Sequence, residues 1–181
     1  MNKKEAVKIS KFLSLVLRHR PDVIDLELDS GGWADTKDIL VACKIDLNEL
    51  VKVVANDDKG RYEFHKDYGL DKIRACQGHS IDVDLGYEPK EPPEKLFHGT
   101  AKKNIESIME KGLIKSGRNH VHLSSDMYTA VTVGGRHGEA VVFEVDTLNM
   151  NKDGYKFFLS TNKVWLTENV PVKYLKLIEK Q

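Results

Sequence analysis

The chain has 181 residues, of which 40% are apolar and 31% charged, with a formal net charge of zero. That composition belongs to a folded protein with a core of useful size, one domain or two small ones, and excludes a disordered or low-complexity chain. The first ninety residues hold 15 Lys+Arg against 17 Asp+Glu, a difference of −2, so a broad basic surface gripping nucleic acid through many phosphates is excluded there. If this half meets RNA, it does so through a few placed cations.

From the N-terminus, Ile9, Phe12, Leu13, Val16 and Leu17 recur at helical spacing, and Pro21 ends the pattern. Arg18-His19-Arg20 falls in the last turn. Cations are favoured there by the helix dipole, so the triplet is either a structural cap or a functional cluster. No signal peptide or membrane-length apolar run precedes it, and a soluble, cytoplasmic protein is expected. Gly31-Gly32-Trp33-Ala34 reads as a turn into a short strand. A second helix beginning near Asp35 carries Ile39, Leu40 and Cys43. Asp46 to Glu49 has capping-box spacing and opens a third helix, with Leu50, Val51 and Val54 expected on its apolar face. Asn56 to Gly60 is a turn between that helix and two hairpin strands, Arg61–His65 and Lys72–Cys76.

Three helices followed by a hairpin suggest a winged helix, although the acidic start of the third helix argues against reading a DNA major groove. Gln77-Gly78-His79-Ser80 leaves the second hairpin strand as a glycine beside polar groups, suited to close approach of a ligand or simply to a turn. Tyr87 to Pro93 is rich in proline and charge and reads as a linker. The expected division is therefore residues 1–88, a linker at 89–93, and residues 94–181. Cys43 and Cys76 are isolated from each other in sequence and read as reduced, inert thiols.

The second half opens with Lys95 to Ser124, where two strand ends bring together His98, Gly99, Thr100, His120, His122 and Ser124. Gly99, having no Cβ, would let a ligand approach the backbone. The bland alternative is an ordinary β-α-β unit with polar strand ends. A helix between the strands is expected to carry Ile105, Ile108 and Met109 on one face. A second helix, Asp126–Val133, is expected to bury Met127, Ala130 and Val131. Gly134 to Gly138 is a glycine-rich loop without a Walker or Rossmann fingerprint. The runs at 140–145, 156–160, 163–167 and 173–178 read as strands of a mostly antiparallel core, making the chain α+β. His120-x-His122 with His98 lacks a further ligand at metal spacing, and no metal is expected.

The segments LSLVLRHRP, GGW, RYEF, IRACQGHS, LFHGT, HVHLS and Ser160–Thr167, in this order, resemble the RNA 2′-phosphotransferase (Tpt/KptA) family. The resemblance implies an N-terminal winged-helix lobe and a C-terminal ADP-ribosyltransferase-like lobe that binds NAD. It implies removal of an internal 2′-phosphate from tRNA-like RNA. The phosphate attacks the anomeric ribose carbon of NAD and expels nicotinamide. The ribose 2″-hydroxyl then attacks phosphorus, releasing ADP-ribose 1″,2″-cyclic phosphate. NAD is thus consumed as co-substrate. The matching catalytic positions are Arg18, His19, Arg74 and Arg118, the arginines holding a dianionic phosphate and His19 moving a proton in the second step. His98, Gly99, Thr100, His122, Leu123, Ser124, Arg136 and Val164 match the NAD side. Val164 stands where protein-modifying relatives keep a catalytic Glu, which fits an acceptor that is already nucleophilic. Cys76 departs from the family's usual Asn in the segment before QGHS. The alternatives are ADP-ribosylation of another phosphorylated nucleic-acid end or of a protein, or a non-catalytic nucleic-acid adaptor. His65, His120 and His137 are expected to be structural or surface residues, and the chain to act as a monomer.

Overall fold

A computed structural model describes residues 1–178 except the side chain of His137, which lies outside the described set. The chain forms two compact units, Met1–Gly86 and Tyr87–Gln181, and has an α+β arrangement of helices with small antiparallel sheets.

In the first unit, Asn2 accepts from the Glu5 N–H while the Glu5 carboxylate accepts from the Asn2 N–H, a capping box that starts α1, Lys3–Arg18. Its inward stripe is Leu13, Val16 and Leu17, all fully buried. Asp35 caps α2, Thr36–Cys43, and Lys44 closes it in the left-handed region. The capping box read at Asp46 and Glu49 forms and starts α3, Leu47–Ala55. The face of α3 differs from the expected one: Leu50 and Val53 are buried, Val54 is packed beside them, and Val51 is half-buried. Positions i, i+3 and i+4 counted from Leu50 face the core, and Val51 lies off that line.

Three short strands complete this unit. β3, Gly69–Ala75, runs between β1, Ala34–Asp35, and β2, Tyr62–His65, antiparallel to both. Ile73 on β3 joins the helical stripe in one core with Ile39 and Leu50. Burying each such side chain contributes about 1.5–3 kcal/mol. Cys76, just beyond β3, is buried with its Sγ directed to the Gly60 carbonyl, and neither cysteine is in a disulfide.

The second unit holds two three-stranded antiparallel sheets. One is ordered β4-β6-β9, Lys95–Ala101, Ala140–Asp146 and Leu175–Ile178. The other is ordered β5-β8-β7, with β5 Val121–Leu123, β7 Phe157–Leu159 and β8 Trp165–Thr167. The two meet at one antiparallel bridge, where Phe97 and Ser124 exchange both backbone hydrogen bonds at 2.9 and 2.7 Å. The segment Lys95–Ser124 is therefore not a β-α-β unit, whose strands would run parallel.

Three helices accompany these sheets: α4 Ile105–Lys111, α5 Met127–Gly134 and α6 Thr147–Lys152. Met109 on α4 is 45% exposed; on α5, Met127 and Val131, expected inside, are 45% and 39% exposed. The buried positions of α5 are Ala130 and Gly134. Small residues face inward because α5 lies directly on the backbone of β4. A Cβ on Gly99 would fall 1.6 Å from the Ala130 carbonyl oxygen, and one on Gly134 would fall 2.7 Å from the Thr100 nitrogen. The stretch read as a linker is fastened within this unit. The Lys90 N–H donates to the Phe157 carbonyl at 2.8 Å, and Tyr87 Oη and Thr161 Oγ1 share a hydrogen bond at 2.8 Å. Among the described residues, no helix is long and apolar enough to cross a membrane.

Candidate active site

Two segments of the first unit bring charged and polar groups together. One is the end of α1. His19 ends the helix because its N–H and that of Arg20 both return to the Leu15 carbonyl, at 2.9 Å each, and Pro21 cannot continue the ladder. Arg18 is delivered just inside that end and is only 6% exposed. The other segment is the exit of β3, carrying Arg74 and then Gly78, His79 and Ser80.

Gly78 takes φ +92, a backbone conformation that L side chains rarely adopt, and this turn lays the exit beside the Arg18 guanidinium, 3.5 Å from where a Cβ would stand. Ser80 fastens the join. Its N–H donates to the Arg18 carbonyl at 2.9 Å, and its hydroxyl shares a 2.9 Å hydrogen bond with His19 Nδ1. The Nδ1 edge of His19 is thereby oriented. The Arg18 guanidinium donates to Ser14 Oγ at 3.4 Å and stands 6.0 Å from the centre of the Tyr62 ring, whose hydroxyl bonds the Ser10 carbonyl.

Arg74 is held more tightly. Its Nε donates to Glu63 Oε1 at 2.8 Å, and its Nη1 donates to the carbonyls of Gly31 at 3.1 Å and Leu85 at 3.3 Å. The guanidinium also lies 4.3 Å from the centre of the Trp33 ring. The GGW turn and the RYEF strand thus position this one cation.

His79 completes the group and is the residue that sequence reasoning left out of the site. It is 2% exposed, and neither ring nitrogen has a hydrogen-bond partner among the described residues. Burial first, then the charges of Arg18, Arg74 and His19, push its pKa down to about 4. It is a neutral imidazole among cations. A Cβ on Gly32 would lie 3.5 Å from its Nε2. The QGHS motif pointed to this place, but periodicity cannot tell a buried histidine from one in a turn. His65, by contrast, is structural: its ring packs edge-on to Trp33 and its Nδ1 accepts from the Asp67 and Tyr68 N–H groups.

In the second unit, His98 on β4 donates from Nδ1 to the His122 carbonyl on β5 at 3.0 Å. That bond settles the tautomer and leaves Nε2 as an acceptor. Burial lowers the pKa of His98, the hydrogen bond to His122 opposing it, so the ring is neutral at pH 7. Thr100 is nearly buried, and its hydroxyl accepts from Asn104 Nδ2 at 2.9 Å. Gly99 is required by the packing of α5; the Cβ it lacks would strike Ala130, so the close-approach argument made from sequence does not account for this glycine. Leu123 is 1% exposed and its side chain belongs to the core. Ser124 is half-buried beside the bridge to Phe97.

Val164 is held by its own backbone: its N–H donates to Ser160 Oγ at 2.9 Å and its carbonyl accepts from the Ser160 N–H at 3.0 Å. Arg118 lies in the exposed loop before β5, and Arg136 in the exposed turn after α5. Desolvation, and secondly the like charge of Arg136, lower the Arg118 pKa, although a guanidinium stays charged at any working pH. His120 packs edge-on to Phe158. No group of three His, Cys, Asp or Glu among the described residues is placed to hold a metal ion.

The family model described as "RNA 2′-phosphotransferase, Tpt1 / KptA family" matches residues 4–169. The chain belongs to this family. Curated relatives agree along the whole length, each bearing the name "Probable RNA 2′-phosphotransferase". One from Nostoc punctiforme is 48% identical, covering 98% of this chain and 100% of its own length. One from Flavobacterium johnsoniae is 49% identical, covering 97% and 98%. One from Fusobacterium nucleatum is 48% identical, covering 94% and 97%. The match of this 2′-phosphotransferase family spans both compact units, so the arginine-histidine cluster and the His98–His122 pair both lie within it.

Proposed function

We propose that this chain is an NAD-dependent RNA 2′-phosphotransferase that removes an internal 2′-phosphate from tRNA-like RNA. The observation that carries the reading is the first unit's cluster, in which Arg18, His19 and Arg74 lie around His79 within the family match over residues 4–169. Three helices followed by the β2–β3 hairpin support reading that unit as a winged helix. The two antiparallel sheets joined at Phe97 and Ser124 support reading the second as an ADP-ribosyltransferase-like lobe.

A dianionic phosphate suits arginines because a planar, permanently charged fork offers paired donors in fixed geometry. Arg74 is pre-oriented by Glu63, two carbonyls and Trp33, so little freedom remains to be lost when an anion arrives. Arg18 is half of the same cluster, and Arg118 is assigned the third phosphate contact. His19, oriented through Ser80, is assigned proton transfer when the ribose hydroxyl displaces RNA from phosphorus. The neutral buried His79 adds no charge to this group.

NAD, as co-substrate, supplies an electrophilic ribose carbon and nicotinamide as the leaving group. The residues of the second unit fit a nucleotide ribose: His98 offers a neutral Nε2 acceptor suited to a ribose hydroxyl, with His122 holding its tautomer. Arg136 offers charge for a pyrophosphate. Gly99, Thr100, Leu123, Ser124 and Val164 shape this side through backbone and packing. The apolar Val164 fits an RNA phosphate that needs no carboxylate to activate it.

The test is incubation with RNA carrying one internal 2′-phosphate, with and without NAD. Expected products are 2′-hydroxyl RNA, nicotinamide and ADP-ribose 1″,2″-cyclic phosphate, all strictly NAD-dependent. RNA left phosphorylated, with NAD intact, would overturn the reading.

A further inference from the structure

Helix α1 also carries a feature that the active-site cluster does not use. Lys4, Lys8 and Lys11 are exposed on the side opposite Leu13, Val16 and Leu17, and none of the three takes part in an ion pair among the described residues. Seven residues turn an α-helix to within about 20° of the starting direction, so Lys4, Lys11 and Arg18 fall on one line with Lys8 beside it. At 1.5 Å per residue, this line runs about 21 Å from Lys4 to Arg18. Arg18 shares the outward register but is buried, with Gly78 to Ser80 against it on one side and Ser14 and Tyr62 near its guanidinium. The stripe therefore ends at the proposed phosphate site.

An ordinary solvated helix face also carries lysines, but this one is arranged against its own stability. Lys3 and Lys4 occupy the first turn, where the helix dipole disfavours cations. Lys4–Lys8 and Lys8–Lys11 place like charges at i,i+4 and i,i+3. The helix's one acid, Glu5, is committed to the cap. The first ninety residues carry a net −2, yet this face of α1 presents Lys4, Lys8 and Lys11 with no acidic residue among them.

We propose that the Lys4–Lys8–Lys11 face of α1 binds the sugar-phosphate backbone of the RNA strand flanking the 2′-phosphorylated nucleotide. The proposal rests on the function proposed above and adds where the rest of the strand lies. At the about 3.4 Å per nucleotide of a stacked strand, 21 Å accommodates about six nucleotides, and fewer if the strand is extended; lysines read phosphates as point charges without regard to sequence.

The test compares the full-length protein with the triple variant Lys4→Gln/Lys8→Gln/Lys11→Gln. Two substrates are used: a 2′-phosphorylated dinucleotide, and a strand long enough to run the whole stripe on both sides of the phosphate. The variant should raise KM for the long strand about tenfold or more and leave dinucleotide turnover unchanged. In fluorescence-anisotropy titrations with unmodified single-stranded RNA, the slope of log affinity against log salt should fall by about 2, from three contacts at ~0.7 each. Lys37→Gln/Lys52→Gln/Lys66→Gln, the same charge change on other elements of the unit, should alter neither. An unchanged slope, an equal loss on the dinucleotide, or an equal loss in the second triple variant would each overturn the proposal. So would lysine-dependent binding to phosphatidylserine vesicles with no effect on RNA. If wild-type protein removes no 2′-phosphate, the reaction assignment fails while the anisotropy titration still decides the stripe.

Discussion

His79 offers a measurement that isolates one side chain's electrostatics. A histidine normally titrates near 6.5, but burial and the charges of Arg18, Arg74 and His19 bring this one to about 4 in the folded state. The folded protein therefore resists a proton that the unfolded chain accepts. Stability from this group is complete above pH 6.5 and is lost as pH falls toward 4, because the unfolded state then binds more protons. The full window is about 2.5 pH units, or about 3.4 kcal/mol at 1.36 kcal/mol per unit, and about 2.4 kcal/mol of it falls between pH 7 and pH 4.5. The assay is urea unfolding of wild type and His79→Leu at both pH values. Leucine is of similar size, and since both ring nitrogens lack partners among the described residues, removing them should cost little at pH 7. Carboxylates also titrate toward the acid end, but they do so in both proteins, so the difference between the two pH dependences isolates His79. Wild type should lose about 2 kcal/mol more than the variant over this interval. Parallel curves would mean that the ring is solvated or anion-paired, and would refute the account of the cluster.

Three further outcomes follow from the same geometry. Arg18→Lys should lower kcat/KM by about ten- to a hundredfold, the equivalent of one charge-assisted hydrogen bond of ~1.5–3 kcal/mol, and steady-state rates near wild type would show that a point charge suffices. His19→Ala should slow breakdown of the ADP-ribosylated RNA intermediate by about a hundredfold or more while slowing its formation less, with Ser80→Ala shifting the same step by a smaller factor; single-turnover product analysis showing the reverse order would remove the proton-transfer role. Gly99→Ala should destabilise the second unit by the upper end of about 1–3 kcal/mol or more, because backbone rather than a flexible side chain must move away from the new Cβ; an unchanged melting temperature would show that α5 does not lie on β4 as described.

Elements governed by local rules are legible in the amino-acid sequence itself. The capping box at Asp46 and Glu49, the end of α1 before Pro21 and the strands at 140–146 and 165–167 each depend on a few neighbouring residues. The faces of the short helices are not legible there. In α5 the apolar residues Met127 and Val131 lie outside while Ala130 and Gly134 lie inside, since close approach to β4 selects for the absence of side chain rather than for hydrophobicity. The same contact explains Gly99, where the sequence pattern suggested a ligand instead. Strand direction is hidden too: nothing in Lys95–Ser124 says that its two ends pair antiparallel at Phe97 and Ser124.

The active-site cluster shows why motif and mechanism separate at the same limit. Arg18 and Arg74 lie 56 positions apart, and sequence could name them only through resemblance. What makes them a site is a set of small permissions distributed over the unit: a positive-φ turn at Gly78, a carbonyl at Gly31, a carboxylate at Glu63 and a ring at Trp33. Each of those positions reads as a turn or a strand residue when taken alone. The histidine they enclose, His79, is buried among positive charges without a hydrogen-bond partner among the described residues, an arrangement that adds no hydrogen bond to the fold and lowers stability in acid. A chain selected for stability alone would have leucine there. Its presence beside two arginines is best explained by an anion that arrives later, for which a neutral ring between fixed cations leaves the local charge to Arg18 and Arg74.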